Sequence, residues 1–268
     1  MIGNITMGQY IPGESPLHRM DPRTKMIWTG ILMVVAFLIN TWQEYVMLGA
    51  FTLALILVSG VPLKQSLKGI KPLLFILGIT AVLNMLFVGG TPLFELGFIK
   101  VTYEGVILAL KLFFRLVIFI VIGSLMTLTT TPMSLTDGLE RMLKPFERIG
   151  LPAHEIAMMM SIALRFIPTL MEETERIMKA QASRGADFDT GSLLSRVKSF
   201  IPVLIPLFVS AFKRAEELAE AMEARCYRGG KGRTRLKQIQ FTALDGKASL
   251  AGLVFVCFMF GPRLLGWF

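Results

Sequence analysis

Two arginines, Arg184 and Arg225, stand 41 positions apart in the second half of the chain, each between small residues. The triplets read Ser183-Arg184-Gly185 and Ala224-Arg225-Cys226. A guanidinium suits the tip of a rigid arm because its planar fork donates paired, charge-assisted hydrogen bonds to a carboxylate. The triplets therefore predict two prongs that bind acidic groups on a partner. They are equally compatible with ordinary cations at helix C-termini, which the helix dipole favours.

The stretches that precede the triplets have the period of amphipathic helices. Apolar residues recur every three or four positions over 156–181 and again over 197–222, with charged residues on the opposite side. The second pattern persists for more than three heptads. Gly185 is well placed to stop the first helix in a left-handed conformation. The sequence therefore predicts two long helical arms, each ending in an arginine.

Three prolines and one apolar run add detail to the prediction of two long helical arms. Pro168 predicts a kink in the first arm, and Pro202 and Pro206 predict bends in the second. The run 200–212 is apolar but only 13 residues long, whereas a membrane span needs about 20. We therefore expect it to be buried or interfacial rather than transmembrane.

The remainder of the chain has the character of a membrane protein. The composition is 53% hydrophobic with 20 Phe and 17 Met, which is too apolar for an ordinary soluble domain. Five apolar segments could cross a bilayer, and they lie at 26–39, 45–61, 73–88, 106–127 and 248–268. The predicted fold is all-α: a polytopic membrane protein with about five transmembrane helices and a helical coupling region of two long amphipathic arms. The predicted divisions are 1–130, 131–247 and 248–268.

The distribution of positive charge predicts the orientation in the membrane. Three cations precede the first apolar segment, three lysines lie in the 62–72 loop and eighteen Lys or Arg lie in 131–247. The 40–44 turn has none, and the 89–105 loop has one. Because cytoplasmic loops carry the excess of Lys and Arg, the N-terminus and the coupling region are predicted to be cytoplasmic.

Lys111 and Arg115 share one face of the fourth apolar segment, four positions apart. They could form an intramembrane polar site on a substrate path. They could instead be long side chains that extend toward the outer interface. The second interpretation is favoured because no acidic residue lies within any predicted span.

Other chemistries have little support in the sequence. Cys226 and Cys257 have no spacing that indicates a disulfide framework or a zinc site. The Gly- and Lys-rich run 228–232 lacks the spacing of a phosphate-binding P-loop. His18 is predicted to belong to a local polar network, with Asp21 and Arg23, that anchors the N-terminal segment.

Two rival functions remain open. A membrane-interface enzyme that acts on lipid headgroups would need clustered carboxylates, and Asp187 and Asp189 are the only close aspartate pair. A membrane-tethered nucleic-acid binder could use the basic run 225–237. That run has only Tyr227 for base stacking, in a region that also holds fourteen acids.

With both triplets in place, the chain resembles the T component of energy-coupling factor transporters, prokaryotic importers built on an ABC-type motor. The resemblance rests on the triplets, on the order of spans and helical region, and on two further segments. These segments are Ser15-Pro16-Leu17-His18-Arg19-Met20-Asp21-Pro22-Arg23-Thr24-Lys25 and Leu164-Arg165-Phe166-Ile167-Pro168. The family's usual triplet is Ala-Arg-Gly, so this chain has Ser for Ala in the first and Cys for Gly in the second.

The resemblance implies a non-catalytic scaffold in the cell membrane. Ser183, Arg184, Gly185, Ala224, Arg225 and Cys226 would dock the two arms on two ABC-type ATPase subunits, with each arginine pairing with acidic residues. The lipid-embedded part would hold a substrate-binding S component that takes a vitamin or another micronutrient. This chain would carry no cofactor of its own, because ATP would be bound by the partner subunits, and it would bind no nucleic acid.

Overall fold

The computed structural model describes residues 10–96, 99–188, 192–230 and 240–264. These residues form two compact units. The first, which we call the membrane unit, holds residues 10–138 and 240–264, and the second, the arm unit, holds residues 139–230. The predicted divisions at 130/131 and 247/248 stay predictions.

The predicted helical membrane fold is confirmed. The membrane unit contains α1 (Pro16–Arg19), α2 (Pro22–Leu38), α3 (Trp42–Ser59), α4 (Leu63–Ser66), a 3₁₀ turn (Lys68–Leu73), α5 (Leu74–Phe87), α6 (Tyr103–Thr129) and α10 (Ala243–Leu264). Four stretches are long and apolar enough to cross a membrane: Trp42–Ser59, Leu63–Met85, Tyr103–Thr129 and Ala243–Gly261. A short antiparallel hairpin of β1 (Pro92–Leu96) and β2 (Ile99–Thr102), which the sequence did not predict, joins α5 to α6.

The first predicted span is the short helix α2. Its 17 residues reach about 25 Å at 1.5 Å per residue, less than the ~30 Å of a hydrocarbon core. It nevertheless runs the length of α3, because Leu55 and Val58 near the end of α3 line the same cavity as Pro16 and Leu17 before α2. The two helices form an antiparallel hairpin. We therefore assign the first predicted span to α2.

Lys111 and Arg115 complete the end of α2. The Arg115 guanidinium donates to the Ile39 carbonyl at 2.6 Å, and the Lys111 ammonium donates to the Asn40 carbonyl at 2.8 Å. These carbonyls lie just past the last turn of α2, where intrahelical donors run out. An unpaired carbonyl is costly in lipid. The two cations on α6 thus close the α2–α3 turn, a role that neither sequence-based interpretation included.

Replacing Arg115 by methionine tests this role. Arg115→Met keeps an unbranched apolar stem but removes the donor to Ile39, and we expect it to lower the free energy of unfolding by about 1–3 kcal/mol. Arg115→Lys, which keeps a hydrogen-bond donor, should lower the free energy of unfolding by less. Thermal unfolding of the purified protein in detergent measures the effect, with the exposed Arg19→Met as control. Equal midpoints for Arg115→Met and Arg19→Met would contradict the assignment.

Apolar side chains of α2, α3, α6 and α10 meet in the core of the membrane unit. Ile39 and Leu48 are fully buried there, in one cluster with Ile118 and Ile122. Phe51 of α3 stacks on Phe255 of α10, with ring centroids 4.0 Å apart. This packing sets the last helix against the first hairpin, although about two hundred residues separate them in sequence.

His18 anchors the N-terminal segment, as predicted, but with different partners. Its Nδ1 lies 2.6 Å from the Ser15 hydroxyl, and its Nε2 lies 3.0 Å from the Ile11 carbonyl. The Ile11 amide in turn donates to the Leu128 carbonyl at the end of α6. Asp21 belongs to the adjoining network described next, whose Lys25 ammonium donates to the His18 carbonyl at 3.4 Å.

A buried polar network joins the start of α2 to the start of α10. The Asp245 carboxylate accepts a hydrogen bond from the Asp21 amide at 2.8 Å, and from the Thr242 amide and hydroxyl at 2.8 and 2.7 Å. Asp21 forms an ion pair with Arg23 at 2.9 Å. The buried Lys25 ammonium donates to the Thr129 carbonyl at 2.9 Å. Three chain segments that are distant in sequence therefore meet at one end of the membrane unit.

The arm unit consists almost entirely of two helices. The chain enters it through α7 (Pro132–Leu143), and a 3₁₀ turn (Lys144–Ile149) follows. The two long helices are α8 (Ala153–Ala182, 30 residues) and α9 (Leu193–Ala224, 32 residues). They match the predicted arms, and both remain helical through their prolines.

Candidate functional site

The two arms pack against each other in antiparallel orientation. Glu173 of α8 accepts hydrogen bonds from the Ser210 hydroxyl at 2.7 Å and the Arg214 guanidinium at 2.9 Å, both on α9. The hydrogen bond from Ser210, together with Arg214, lowers the pKa of the Glu173 carboxyl below its usual value. A lowered pKa means that this carboxylate contributes stability at neutral pH and loses it only as the pH falls through the folded-state pKa. The contact therefore persists at physiological pH.

A second contact between the arms uses a proline. Pro206 has no amide hydrogen, so the Pro202 carbonyl four residues earlier has no donor within α9. The Gln181 side-chain amide of α8 donates to this carbonyl at 3.5 Å, a long hydrogen bond. The prolines of α9 thus free a backbone acceptor that the other arm uses.

The first triplet forms the C-terminal cap of α8. The Ala186 amide donates to the Gln181 carbonyl and the Gly185 amide donates to the Ala182 carbonyl, both at 3.0 Å. These bonds define a Schellman motif, in which the residue after the helix turns into the left-handed region. Gly185 is that residue, with φ +88°. The predicted stop is confirmed, and Arg184 is the last residue before it.

The second triplet forms the same cap on α9. The Tyr227 amide donates to the Met222 carbonyl at 3.0 Å, and the Cys226 amide donates to the Glu223 carbonyl at 2.8 Å. Cys226 takes the left-handed position with φ +56°, the only positive φ among the non-glycine residues that the structure describes. Arg225 therefore has the same place in its cap as Arg184 has in the first.

Both arginines are exposed and lie at opposite ends of the helix pair. Arg225 lines a cavity with Arg165 on the N-terminal half of α8. Arg184 is 19 positions beyond Arg165, about 29 Å along the helix. Neither guanidinium has an acidic partner within the described part of the chain. Two free cations about 30 Å apart on one rigid pair could bind two separate acidic sites.

The left-handed cysteine provides a test of the cap. A side chain in this conformation costs roughly 1–2 kcal/mol that glycine avoids. Cys226→Gly should therefore raise the free energy of unfolding by about 0.5–1 kcal/mol, after the greater chain entropy of glycine is subtracted. The matched change Gly185→Ala at the first tip should lower it by a similar amount. Thermal unfolding of the two variants measures both effects, and loss of stability in Cys226→Gly would contradict the cap assignment.

Most of the apolar run 200–212 lies exposed on α9, although Val203 within it is buried. Phe208 is 61% exposed and Phe212 is 72% exposed, and Ile205 and Val209 beside them are similarly open. Burial within the chain, one of the two expected outcomes, is therefore wrong for these residues. An apolar surface of this kind on a membrane protein indicates contact with lipid or with a protein partner.

The other candidates from the sequence give no metal centre in the described residues. No group of three or more His, Cys, Asp or Glu within 10–96, 99–188, 192–230 and 240–264 could hold a metal ion. Asp189, the second member of the aspartate pair, lies outside the described residues, as do residues 231–237 of the basic run. Cys226 and Cys257 are free thiols.

Sequence reasoning missed the surroundings of the second tip. After Cys226 the chain returns to the first turn of α8, where Gly230 lies against the His154 ring. The cavity at this tip measures about 530 Å³ and is lined by Arg165 and Arg228 as well as Arg225. The sequence contains Arg228-Gly229-Gly230 but does not indicate that this segment packs beside α8. The two contacting segments are more than sixty positions apart.

Comparison with known proteins agrees with this architecture. The family model described as CbiQ, cobalt transport protein, matches residues 13–236. The chain is similar to proteins named energy-coupling factor transporter transmembrane protein EcfT. That of Ruminiclostridium cellulolyticum is 57% identical over 245 residues, which cover 91% of this chain and 92% of the relative.

Two further relatives of that name match over nearly their full lengths. The protein of Clostridium kluyveri is 52% identical over 266 residues, 98% of each chain. That of Bacillus subtilis is 46% identical over 264 residues, 98% of this chain and all of the relative. The chain therefore belongs to the CbiQ family of energy-coupling factor transporter transmembrane proteins.

Proposed function

We propose that this multi-pass transporter component is a scaffold that couples two ABC-type ATPase subunits to a substrate-binding S component. The observation that carries the proposal is the pair of equivalent caps, each of which presents one exposed arginine. ATP hydrolysis moves the ATPases, which tilts the arms and topples the S component so that it releases a vitamin or another micronutrient inward. The chain itself binds neither ATP nor the transported compound and needs no cofactor.

The construction of the arms supports this role. The Glu173 contacts to α9 and the hydrogen bond from Gln181 fasten the two helices to each other at separate levels. A force applied at one tip is therefore transmitted along a helix pair rather than lost in a loop. The ~30 Å between the arginines suits two binding sites on two subunits better than two contacts with one small ligand.

The exposed apolar surface of α9 supports the S component as a second partner. Phe208 and Phe212 belong to a face that would be unfavourable in water, because burying apolar surface is worth about 25 cal/mol per Å². A membrane-embedded S component offers an apolar surface that could cover it. We propose that this face of α9 takes part in holding that subunit.

The proposed orientation follows from the positive-inside rule. The eighteen Lys and Arg residues in 131–247 support a cytoplasmic location of the arms, where ATP and the ATPases would be found. This assignment makes the protein a component of the cell membrane with its N-terminus inside. The rival lipid-headgroup enzyme would use Asp187 and Asp189, and no observation in the described residues favours it.

A pull-down from native membranes tests the proposal. The tagged protein is extracted in mild detergent and its partners are identified by mass spectrometry, with an unrelated tagged membrane protein as control. We expect two ABC-type ATPases and small substrate-binding membrane proteins, and no nucleic acid. Absence of any ATPase under conditions that preserve other membrane complexes would overturn the proposal and bring the enzyme hypothesis forward.

A further inference from the structure

The two arm tips share one backbone conformation but differ in the charge that surrounds them. We propose that the second tip is a three-arginine site, formed by Arg165, Arg225 and Arg228, that binds a cluster of carboxylates on one ATPase subunit. The first tip binds the other ATPase through Arg184 alone. This inference rests on the proposed function and extends it: the two ATPases are not interchangeable, and the second tip takes the one with the more acidic docking surface.

The three arginines come from three segments of the arm unit. Arg165 lies on the N-terminal half of α8, Arg225 is the last residue before the left-handed cap of α9, and Arg228 follows that cap. All three line the same open cavity of about 530 Å³. All three are exposed, and none has an acidic partner in the part of the chain that the structure describes.

The return of the chain after Cys226 builds this site. Gly230 lies so close to the His154 ring that an added Cβ would come within 2.6 Å of its Cδ2 atom. His154 is itself held by Glu140, with Nδ1 3.1 Å from the carboxylate. The segment 227–230 is thereby placed beside the first turns of α8. Arg228 consequently points from this segment into the cavity that Arg165 lines on the helix.

The first tip lacks these additions. The chain continues from Arg184 through Gly185 and Ala186 to Asp187, so an acid stands where the second tip has an arginine. Phe188 then packs against Phe200 near the start of α9, with ring centroids 5.3 Å apart. Three positions after its arginine, the first tip therefore has an acid where the second tip has a further cation, Arg228.

Three guanidiniums around one cavity repel each other unless anions lie between them. Glu155 lies nearby, with its Oε1 3.8 Å from the place of a Cβ at Gly229, but it does not line the cavity. Because no acid among the described residues lines the cavity, an anionic group from outside the chain would relieve this repulsion. Carboxylates of a protein partner fit best, because Arg225 has the cap position that Arg184 has at the other tip.

The test compares the two ATPase subunits separately. The full-length chain, reconstituted in lipid nanodiscs, is titrated with each purified ATPase subunit at several NaCl concentrations. The variants are Arg165→Gln, Arg228→Gln and Arg184→Gln, with Lys213→Gln, an exposed cation of α9 outside the cavity, as matched control. Arg165→Lys and Arg228→Lys keep the charge and check that the fold is retained.

We expect Arg165→Gln and Arg228→Gln to weaken the binding of one ATPase by roughly tenfold or more, as for loss of a charge-assisted hydrogen bond. They should also reduce the dependence of its dissociation constant on salt, because fewer charges pair. Binding of the other ATPase should match wild type and should weaken only in Arg184→Gln. A merely structural role would leave the salt dependence unchanged.

The outcomes separate this inference from the proposed function. If Arg184→Gln weakens binding but Arg165→Gln and Arg228→Gln behave like Lys213→Gln, the three-arginine site is overturned and the two-tip scaffold stands. If the two cavity variants weaken both ATPases equally, the asymmetry is overturned. If they reduce binding to vesicles of anionic phospholipid and leave ATPase binding intact, the site serves the membrane and the inference is overturned as well.

Discussion

Arg184→Glu and Arg225→Glu should each weaken assembly with the ATPases by about 2–5 kcal/mol, and the double variant should lose them. The estimate follows from the cost of leaving a buried interfacial charge without its partner. Each variant also places a carboxylate against carboxylates. Because the two arginines lie at opposite ends of the helix pair, about 30 Å apart, neither tip can substitute for the other. The measurement is the yield of each ATPase in a pull-down from membranes that contain wild type or variant.

Three comparisons make this result interpretable. Arg184→Lys and Arg225→Lys should weaken assembly less than the glutamate variants do, because the charge remains while the paired hydrogen-bond geometry is lost. Lys213→Glu, a charge reversal on the same helix pair away from the tips, should retain both ATPases. An intact complex in either arginine-to-glutamate variant would count against the tips as docking points, whatever the partners are.

The periodic features of this fold were predictable from the sequence. Apolar segments of sufficient length predict membrane helices because the bilayer thickness sets the length. The three-and-four spacing over 156–181 and 197–222 predicts amphipathic helices because side chains three and four apart share a face. Gly185 predicts the end of α8 because glycine enters the left-handed region freely. These rules act locally, so one sequence is enough to apply them.

The features that were not predictable depend on contacts between distant residues. Lys111 and Arg115 could not be assigned to the end of α2 without knowing which helix faces α6. Cys226 occupies the place in its triplet that Gly185 has in the first, but its left-handed conformation could not be predicted because cysteine has no such preference. Arg165 and Arg228 share a cavity only because the chain folds back after the second tip.

Asp245 shows the same limit and leads to the largest stability effect that we expect. An aspartate at the start of an apolar helix is a common helix cap, and Asp245 does bind Thr242. Its other oxygen accepts from the Asp21 amide, 224 positions earlier. Both acids are buried. One carboxylate thus joins α2, the first predicted span, to α10, the last helix of the membrane unit, and no local pattern indicates this.

Asp245→Ala should lower the free energy of unfolding by about 3 kcal/mol, because it leaves the buried Asp21 amide without an acceptor and removes one of the two carboxylates, Asp245 and Asp21, that neighbour the buried Lys25. Asp245→Asn keeps an acceptor oxygen and should lower the free energy of unfolding by less. For a chain of this size, 3 kcal/mol corresponds to a fall of about 6–12 °C in the unfolding midpoint.

Glu14→Ala is the matched control for this prediction. Glu14 is also an acid in an ion pair, with Arg19 at 3.2 Å, but its side chain is 91% exposed. Exposed ion pairs contribute at most about 1 kcal/mol to stability, so the unfolding midpoint of Glu14→Ala should be close to that of wild type. Thermal unfolding in detergent, followed by the helical circular dichroism signal, compares the three variants. If Asp245→Ala unfolds at the same temperature as Glu14→Ala, the Asp21–Asp245 hydrogen bond does not hold the first and last helices together.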